Sequence, residues 1–141
     1  MNRVFFQRKE DCVHNWHVID AKGKILGRLA TEIAEILSGK NKTDFARHSD
    51  NGDYVVILNA KDVVLSGNKL KTKIYQRVSG WIGGRKEITA ETMMQKDCTQ
   101  LIHIAVKGMM PRNKLSSVCL TRLKVYEGAE HPHAAQIKKV A

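Results

Sequence analysis

The chain has 141 residues, 43% of them hydrophobic and 27% charged, which is enough to bury a core as one domain. Its formal net charge is +10, and the excess is uneven: residues 1–53 hold nine Lys/Arg against eight Asp/Glu, and residues 54–141 hold fifteen against six. A bias confined to part of the chain predicts a binding face for a polyanion. The sequence shows no signal-peptide pattern and no apolar run near the roughly 20 residues of a membrane span, so we expect a cytoplasmic protein.

The first half of the chain predicts a strand, a long helix and a second, buried strand. We interpret residues 1–15 as an N-terminal arm and residues 16–141 as a single domain. Residues 16–20 form the expected first strand. Residues 25–37 carry apolar side chains at i, i+3 and i+4 spacing, which predicts a helix that ends at Gly39. The unbroken apolar run at 54–58 is typical of a central strand covered on both faces, so this half predicts a strand–helix–strand unit with a right-handed crossover.

The second half predicts shorter elements of both kinds. Asp97 is a good N-cap for a helix over residues 98–109, and Pro111 ends that helix. The other expected elements are a short strand over 62–66, a helix over 89–95 capped by Thr89, a helix over 115–120, a strand over 123–126 and an irregular tail over 130–141. Helices alternating with strands indicate an α/β fold.

Residues 67–86, the first basic segment, contain six cations and no acidic residue. If residues 69–78 are helical, Lys69, Lys73 and Arg77 share a stripe; if they are extended, Lys69, Lys71 and Lys73 share a face. Cations at this density gain nothing from a compact fold, whereas phosphates would neutralise them. A solvated loop is the alternative. The candidate RNA-binding residues here are Lys69, Lys71, Lys73, Arg77, Trp81, Gly83, Gly84, Arg85 and Lys86, with Trp81 either stacked on a base or ribose or packed in its loop.

Residues 107–124, the second basic segment, also lack any acidic residue. Lys107 ends the predicted helix at 98–109, where a cation favours the helix dipole, so a structural role is the alternative for it. Two acid-free zones with interleaved aromatics suit a shaped RNA better than a DNA groove, since no DNA-binding motif is present. The candidate RNA-binding residues here are Lys107, Arg112, Asn113, Lys114, Arg122 and Lys124.

His131 and His133 form a close pair near the C-terminus. A metal needs three or four ligands, and no further ligand is spaced to complete the set, so we expect hydrogen bonds to RNA or to the protein's own backbone. The cysteines at 12, 98 and 119 are widely spaced and odd in number, which predicts reduced thiols and neither a zinc site nor a disulfide framework. No metal and no cofactor are therefore expected.

Motifs for catalysis are missing from the sequence. There is no GxxxxGK[ST], GxGxxG or GxSxG motif and no paired carboxylates set for acid–base work, so we expect no enzyme activity. Two other functions stay open at this point. A free-standing RNA-binding regulator could use the same surface, and a small nucleotide-binding α/β enzyme could use the strand–helix–strand start without a recognisable phosphate motif.

Several ordered blocks of sequence resemble a known family. They are DAKGKILGRLA at 20–30, LNA at 58–60, LSGNKLK at 65–71, SGWIGG at 79–84, AVKGMMPRN at 105–113, LKVYEG at 123–128 and EHPH at 130–133. In this order they resemble the bacterial-type family of large-subunit ribosomal protein thirteen, over residues 16–136.

The resemblance implies a three-layer α/β fold around a small, mainly parallel sheet with basic loop extensions. It implies a structural protein of the large ribosomal subunit, without enzyme activity, that binds large-subunit ribosomal RNA early in assembly and supports translation. Its implied partners are that RNA and neighbouring large-subunit proteins, with no membrane and no small-molecule substrate. The family's basic loop and the turn after its helix map onto residues 80–86 and 107–114.

Overall fold

Five strands and six α-helices make up the fold of the residues that the structure describes. The structure is a computed structural model, and it describes residue 8, residue 10 and residues 12–137. In chain order the elements are β1 Trp16–Asp20, α1 Leu26–Ser38, β2 Tyr54–Leu58, α2 Lys69–Thr72, β3 Ile74–Val78, β4 Arg85–Thr89, α3 Ala90–Lys96, α4 Cys98–Met109, α5 Lys114–Thr121, β5 Leu123–Val125 and α6 Ala134–Ile137.

A three-stranded parallel sheet lies at the centre, in the order β1-β2-β5. Strand β2 is the middle strand, and its Val55, Val56 and Ile57 are fully buried. Consecutive strands joined by α1 therefore pair in parallel, which confirms the predicted strand–helix–strand unit. The prediction of a central strand covered on both faces is also confirmed. Successive residues of a strand point to opposite faces of the sheet, so burial of three successive residues means that both faces of β2 are covered.

Helices α1 and α4 pack against each other and cover one face of the sheet. Leu29 and Ile33 of α1, Leu101 and Ile102 of α4, and Ile57 of β2 belong to one buried cluster. Burying each such side chain stabilises the fold by about 1.5–3 kcal/mol. This cluster is the main source of stability, and it fixes where the two ends of α4 emerge.

The C-terminal segment contacts the opposite face of the sheet, where α6 packs on β1. The rings of Trp16 and Tyr54, which lie opposite each other in the sheet register, are stacked with centroids 4.4 Å apart. The ring of His133 lies 5.2 Å from that of Trp16. The fold is thus a three-layer α/β fold, as expected.

The predicted helix boundaries depend on capping, and the structure contains those caps. Gly39 adopts φ 74°, and its N–H donates to the carbonyl of Ile36 at the end of α1. Thr89 Oγ1 accepts from the N–H of Thr92 at the start of α3. Asp97 accepts from the first free N–H groups of α4. These local signals are why α1, α3 and α4 begin and end within one residue of the prediction.

The first basic segment forms neither one helix nor one strand. A single helical turn, α2, is followed by β3, which pairs antiparallel with β4 in a hairpin separate from the central sheet. Strand β4 was not expected. Both strands of this hairpin are exposed on nearly every residue, so the sequence lacks the alternation of apolar and polar residues that predicts a strand.

Two other sequence-based predictions were wrong. Residues 62–66 form only a single bridge from Val64 to Ile25 after a 3-10 turn at Ala60–Asp62, because the chain turns away at Gly67, whose φ is 63°. The tail is not wholly irregular, since Ala134–Ile137 form α6 beside β1. Most of the expected N-terminal arm, and residues 138–141, lie outside the described residues.

The described end of the arm is attached to the loop before β2. His14 Nδ1 lies 2.6 Å from the carbonyl oxygen of Gly52, and the N–H of Asn15 donates to Asp53 Oδ1 over 2.9 Å. Within the part of the chain that the structure describes, no helix is long and apolar enough to cross a membrane.

Candidate nucleic-acid interface

The short helix α2 and the hairpin β3–β4 display cations that the protein itself does not neutralise. Lys71, Arg77 and Lys86 are exposed and form no ion pair or side-chain hydrogen bond within residues 12–137. Arg77 lies directly opposite Lys86 in the strand register. Like charges in this position destabilise a strand pair by roughly 0.2–1 kcal/mol. An anion bound between them would remove that repulsion.

Other cations of the first basic segment make weak contacts. Lys69 Nζ donates to Ser66 Oγ over 3.0 Å, and Lys73 Nζ lies 5.1 Å from the ring centre of Tyr75. Arg85 pairs with Glu87 at 2.5 Å, with both side chains about half exposed. Exposed pairs contribute only about 0–1 kcal/mol, so these cations can exchange their contacts for a phosphate at little cost.

The turn of the hairpin exposes its two apolar side chains. The Trp81 ring is 83% exposed and Ile82 fully so, which leaves the indole free for stacking. Gly83 adopts φ 76°, and a Cβ on Gly84 would lie 2.0 Å from Ser79 Oγ. The positive φ of Gly83 thus favours glycine in the turn itself, and a side chain at Gly84 would force Ser79 to move. These constraints account for both glycines whether or not nucleic acid approaches here.

Three cations of the second basic segment line a groove at the C-terminal end of α4: Lys107, Arg112 and Lys114. All three are exposed and unpaired within the described part of the chain. Asn113, between them, is the N-cap of α5, and its Oδ1 accepts from the N–H and the Oγ of Ser116 over 2.8 and 2.9 Å. This cap holds the turn that presents Arg112 and Lys114 on either side.

Arg122 lies inside the protein and does not share that surface. It is only 8% exposed, its guanidinium forms two hydrogen bonds with Asp50, and Nη1 also donates to the carbonyl of Gly52 over 3.0 Å. Burial alone would raise the pKa of Asp50, but the bonds and charge of Arg122 outweigh it and lower that pKa. The segment around Arg122 contains no acidic residue, and its partner Asp50 lies more than seventy positions earlier in the chain. The local sequence therefore did not reveal this ion pair. Lys124, on β5, is half-buried.

The histidine pair forms bonds within the protein. His133 Nε2 lies 2.8 Å from Tyr126 Oη, and the N–H of His133 donates to His131 Nδ1 over 3.2 Å. Both side chains are half-buried. Only His131 bonds backbone, and it does so as an acceptor and not as the expected donor, whereas the ring of His133 contacts the side chain of Tyr126. Groups of three or more metal-ligating side chains do not occur among the described residues.

The structure brings the two basic segments to adjoining sides of α4. The groove beside the second segment and a groove beside the first share Ile104 and Gly108 as walls. The groove beside the first segment is lined by Lys69 and Lys73 and also by Arg28, from the first turn of α1. Arg28 was missed in the sequence because it lies far from both segments. The available signal was its position as a cation in the first turn of a predicted helix, where the helix dipole disfavours positive charge.

Fold and charge define a small, basic α/β protein whose exposed cations flank one helix. The sequence profile of the family described as Ribosomal protein L13 matches residues 14–132 of this chain. That match covers most of the chain, and the chain belongs to this family.

Curated relatives agree with the family match. The large ribosomal subunit protein uL13 of Dictyoglomus thermophilum is 50% identical over 137 residues, covering 97% of this chain and 96% of the relative. The protein of the same name from Clostridioides difficile is 50% identical over 138 residues, covering 98% and 96%. That of Thermotoga maritima is 50% identical over 129 residues, covering 92% and 87%. Together they indicate a protein of the large ribosomal subunit, with a part in translation and from a family of generally non-enzymatic structural proteins.

Proposed function

We propose that this protein is a structural constituent of the large ribosomal subunit that binds large-subunit ribosomal RNA and supports early subunit assembly. It acts in the cytoplasm, as part of that subunit, beside neighbouring large-subunit proteins, and without catalysis. In this proposal residues 16–141 form the single domain that carries the function, and one buried cluster with members from Ile19 to Leu123 supports its being undivided.

The observation that carries the proposal is the set of exposed cations without protein partners in the described part of the chain, which lie on α2, on the hairpin β3–β4 and beside the turn after α4. Neutralising phosphates with such groups releases condensed counterions and drives binding. Five of these cations form no ion pair and no side-chain hydrogen bond with any residue that the structure describes: Lys71, Arg77, Lys86, Arg112 and Lys114.

Other side chains complete the proposed surface. Lys69, Lys73, Arg85 and Lys107 add positive charge, and Trp81 stacks on a base or ribose from the exposed hairpin turn. Gly83 and Gly84 shape that turn. Lys124, His131 and His133 are secondary contacts, because each is partly buried. Arg122 is left out, since its ion pair with Asp50 already occupies it.

The test is binding of the purified protein to large-subunit ribosomal RNA and to an unrelated structured RNA of the same length, across a salt series. We expect a preference for the ribosomal RNA that persists near 0.15 M salt, because the folded surface matches one RNA shape. Equal affinity for the two RNAs, lost in parallel as salt rises, would contradict the proposal.

A further inference from the structure

A groove beside the first basic segment contains two glycines that the fold does not explain. It lies between the first turn of α1, the short helix α2 and the last turns of α4. Among its walls are Gly27, Arg28, Lys69, Lys73, Tyr75 and Gly108.

Gly27 lies in α1 and Gly108 in α4, and neither has a positive φ. A Cβ added to either would meet no atom within 4 Å. Alanine is the better helix former and restricts the unfolded chain, so alanine would stabilise this protein at both positions. Two helices thus keep glycine, against their own stability, where both face the same groove.

Charge in the groove is also uncompensated. Arg28 lies in the first turn of α1, at the positive end of the helix dipole, and that turn contains no acidic residue and no side-chain cap. The nearby Glu32 is paired with Lys24 at 3.1 Å. Arg28 has no ion pair in the described part of the chain, and Lys69 and Lys73 line the same groove. An anion in the groove would neutralise all three.

From these observations we propose that the groove holds the sugar–phosphate backbone of one strand of the large-subunit ribosomal RNA. The strand lies against the bare backbone of Gly27 and Gly108, with a phosphate among Arg28, Lys69 and Lys73. This inference rests on the proposed function, and it adds Gly27 and Arg28, which lie outside both basic segments.

The experiment compares Gly27→Ala and Gly108→Ala with the wild-type protein in thermal melts and in binding to large-subunit ribosomal RNA. Each variant should melt a few degrees higher, as expected for a helical glycine replaced by alanine in a domain of this size. Each should bind the RNA roughly tenfold more weakly, the size of effect of one lost nucleic-acid contact, with an unchanged salt slope. Gly108→Met should bind more weakly still, because its side chain fills more of the groove.

Two further variants separate charge from shape. Arg28→Gln should lower the slope of log affinity against log salt by about one unit, since it removes one phosphate contact. Gln95→Ala, on the exposed side of α3 and outside the groove, is the matched control and should leave RNA affinity unchanged.

The outcomes distinguish the groove from the wider proposal. If all three glycine variants keep the wild-type preference for ribosomal RNA, the groove does not bind the RNA strand, while the proposed function still holds. A wild-type protein without that preference would overturn both. If the variants bind the RNA normally but fail to enter subunits, a neighbouring protein occupies the groove, and the proposal of an RNA strand there is wrong.

Discussion

Arg112 and Arg122 lie ten positions apart in the second basic segment, which has no acidic residue, but they have different roles. Arg122 is buried and hydrogen-bonded to Asp50 and Gly52, joining the loop before β2 to the start of β5. Arg112 is exposed on the turn after α4 and has no partner among the described residues. Charge alone does not distinguish them, and only burial shows which one is available to a ligand.

Replacing each arginine should therefore give opposite results. Arg122→Met leaves Asp50 partly buried without its partner, which should lower the free energy of unfolding by roughly 2–4 kcal/mol, while the salt slope of RNA binding stays unchanged. Arg112→Ala, and Lys114→Ala likewise, should change stability by under about 0.5 kcal/mol but lower the salt slope by up to about one unit.

Urea unfolding and RNA titrations across a salt series measure both quantities on the same samples. If Arg122→Met instead lowered the salt slope at wild-type stability, Arg122 would belong on the RNA surface after all. If the salt slope of RNA binding were unchanged in both Arg112→Ala and Lys114→Ala, the turn after α4 would not be part of the RNA-binding surface.

Asp53 anchors three segments of the chain at one carboxylate. It accepts from the N–H of Asn15, from His17 Nε2 over 3.0 Å and from Lys42 Nζ over 2.6 Å. Burial alone would raise the pKa of Asp53, but these bonds, with that from Lys42 the strongest, lower it overall.

The protein should therefore lose stability in acid. A carboxyl group whose pKa is lower in the folded state stabilises the fold above the unfolded pKa of about 3.9, and that contribution disappears as pH falls through the folded pKa. Asp50 acts in the same direction. Urea midpoints between pH 7 and pH 3 should fall mainly below about pH 5. The fall should be smaller in Asp53→Asn, and an equal fall in that variant would show that other groups cause it.

At the scale of elements, the hairpin β3–β4 combines poor stability with a good ligand surface. Its strands pair only with each other, and Ile74, Val78 and Ile88 are 49%, 65% and 39% exposed. An isolated two-stranded hairpin is marginally stable in water. Its turn residues and the packing of Tyr75 against the core are what hold it in place.

Lys86→Thr should stabilise this hairpin and weaken RNA binding at once. Threonine favours strands, and the change removes the repulsion between Lys86 and Arg77, a gain of roughly 0.2–1 kcal/mol. Amide hydrogen exchange over β3 and β4 should slow, while affinity for large-subunit ribosomal RNA falls.

Gln76→Thr is the matched control, since it makes the same strand-favouring change on the same hairpin without altering charge. Faster exchange in Lys86→Thr than in Gln76→Thr would mean that the two cations do not repel each other in the folded protein.

At the scale of the whole molecule, a net charge of +10 on a small protein means that its positive charges repel one another. Self-repulsion opposes the compact state, and exposed charges interact over about 8–10 Å at moderate salt. The free protein therefore carries an electrostatic strain that an RNA partner would relieve.

Salt should consequently have opposite effects on folding and on binding. Raising NaCl from about 20 mM to about 200 mM should increase the melting temperature of the free protein, because screening weakens its self-repulsion. The same change should lower its affinity for RNA. A melting temperature that fell with salt would show that internal ion pairs such as Lys42–Asp53 outweigh the repulsion.

The sequence by itself determined the features that depend on neighbours along the chain. Apolar spacing predicted α1, the apolar run at 54–58 predicted the central strand, and Thr89 and Asp97 predicted where α3 and α4 begin. Propensity, capping and periodicity act within a few residues, so they can be read from one chain. The ordered family blocks also indicated the family, which the comparisons confirmed.

The tertiary structure alone decided what depends on distant partners. Burial of Arg122 requires Asp50, the exposed hairpin requires β4, and the groove requires Arg28 and Gly108 to meet across α1 and α4. The ion pair and the groove join residues far apart in the chain, and the hairpin strands are exposed on both faces. Local sequence patterns therefore do not predict these features. Packing of the core sets which charges are paired inside the fold and which stay free for a partner.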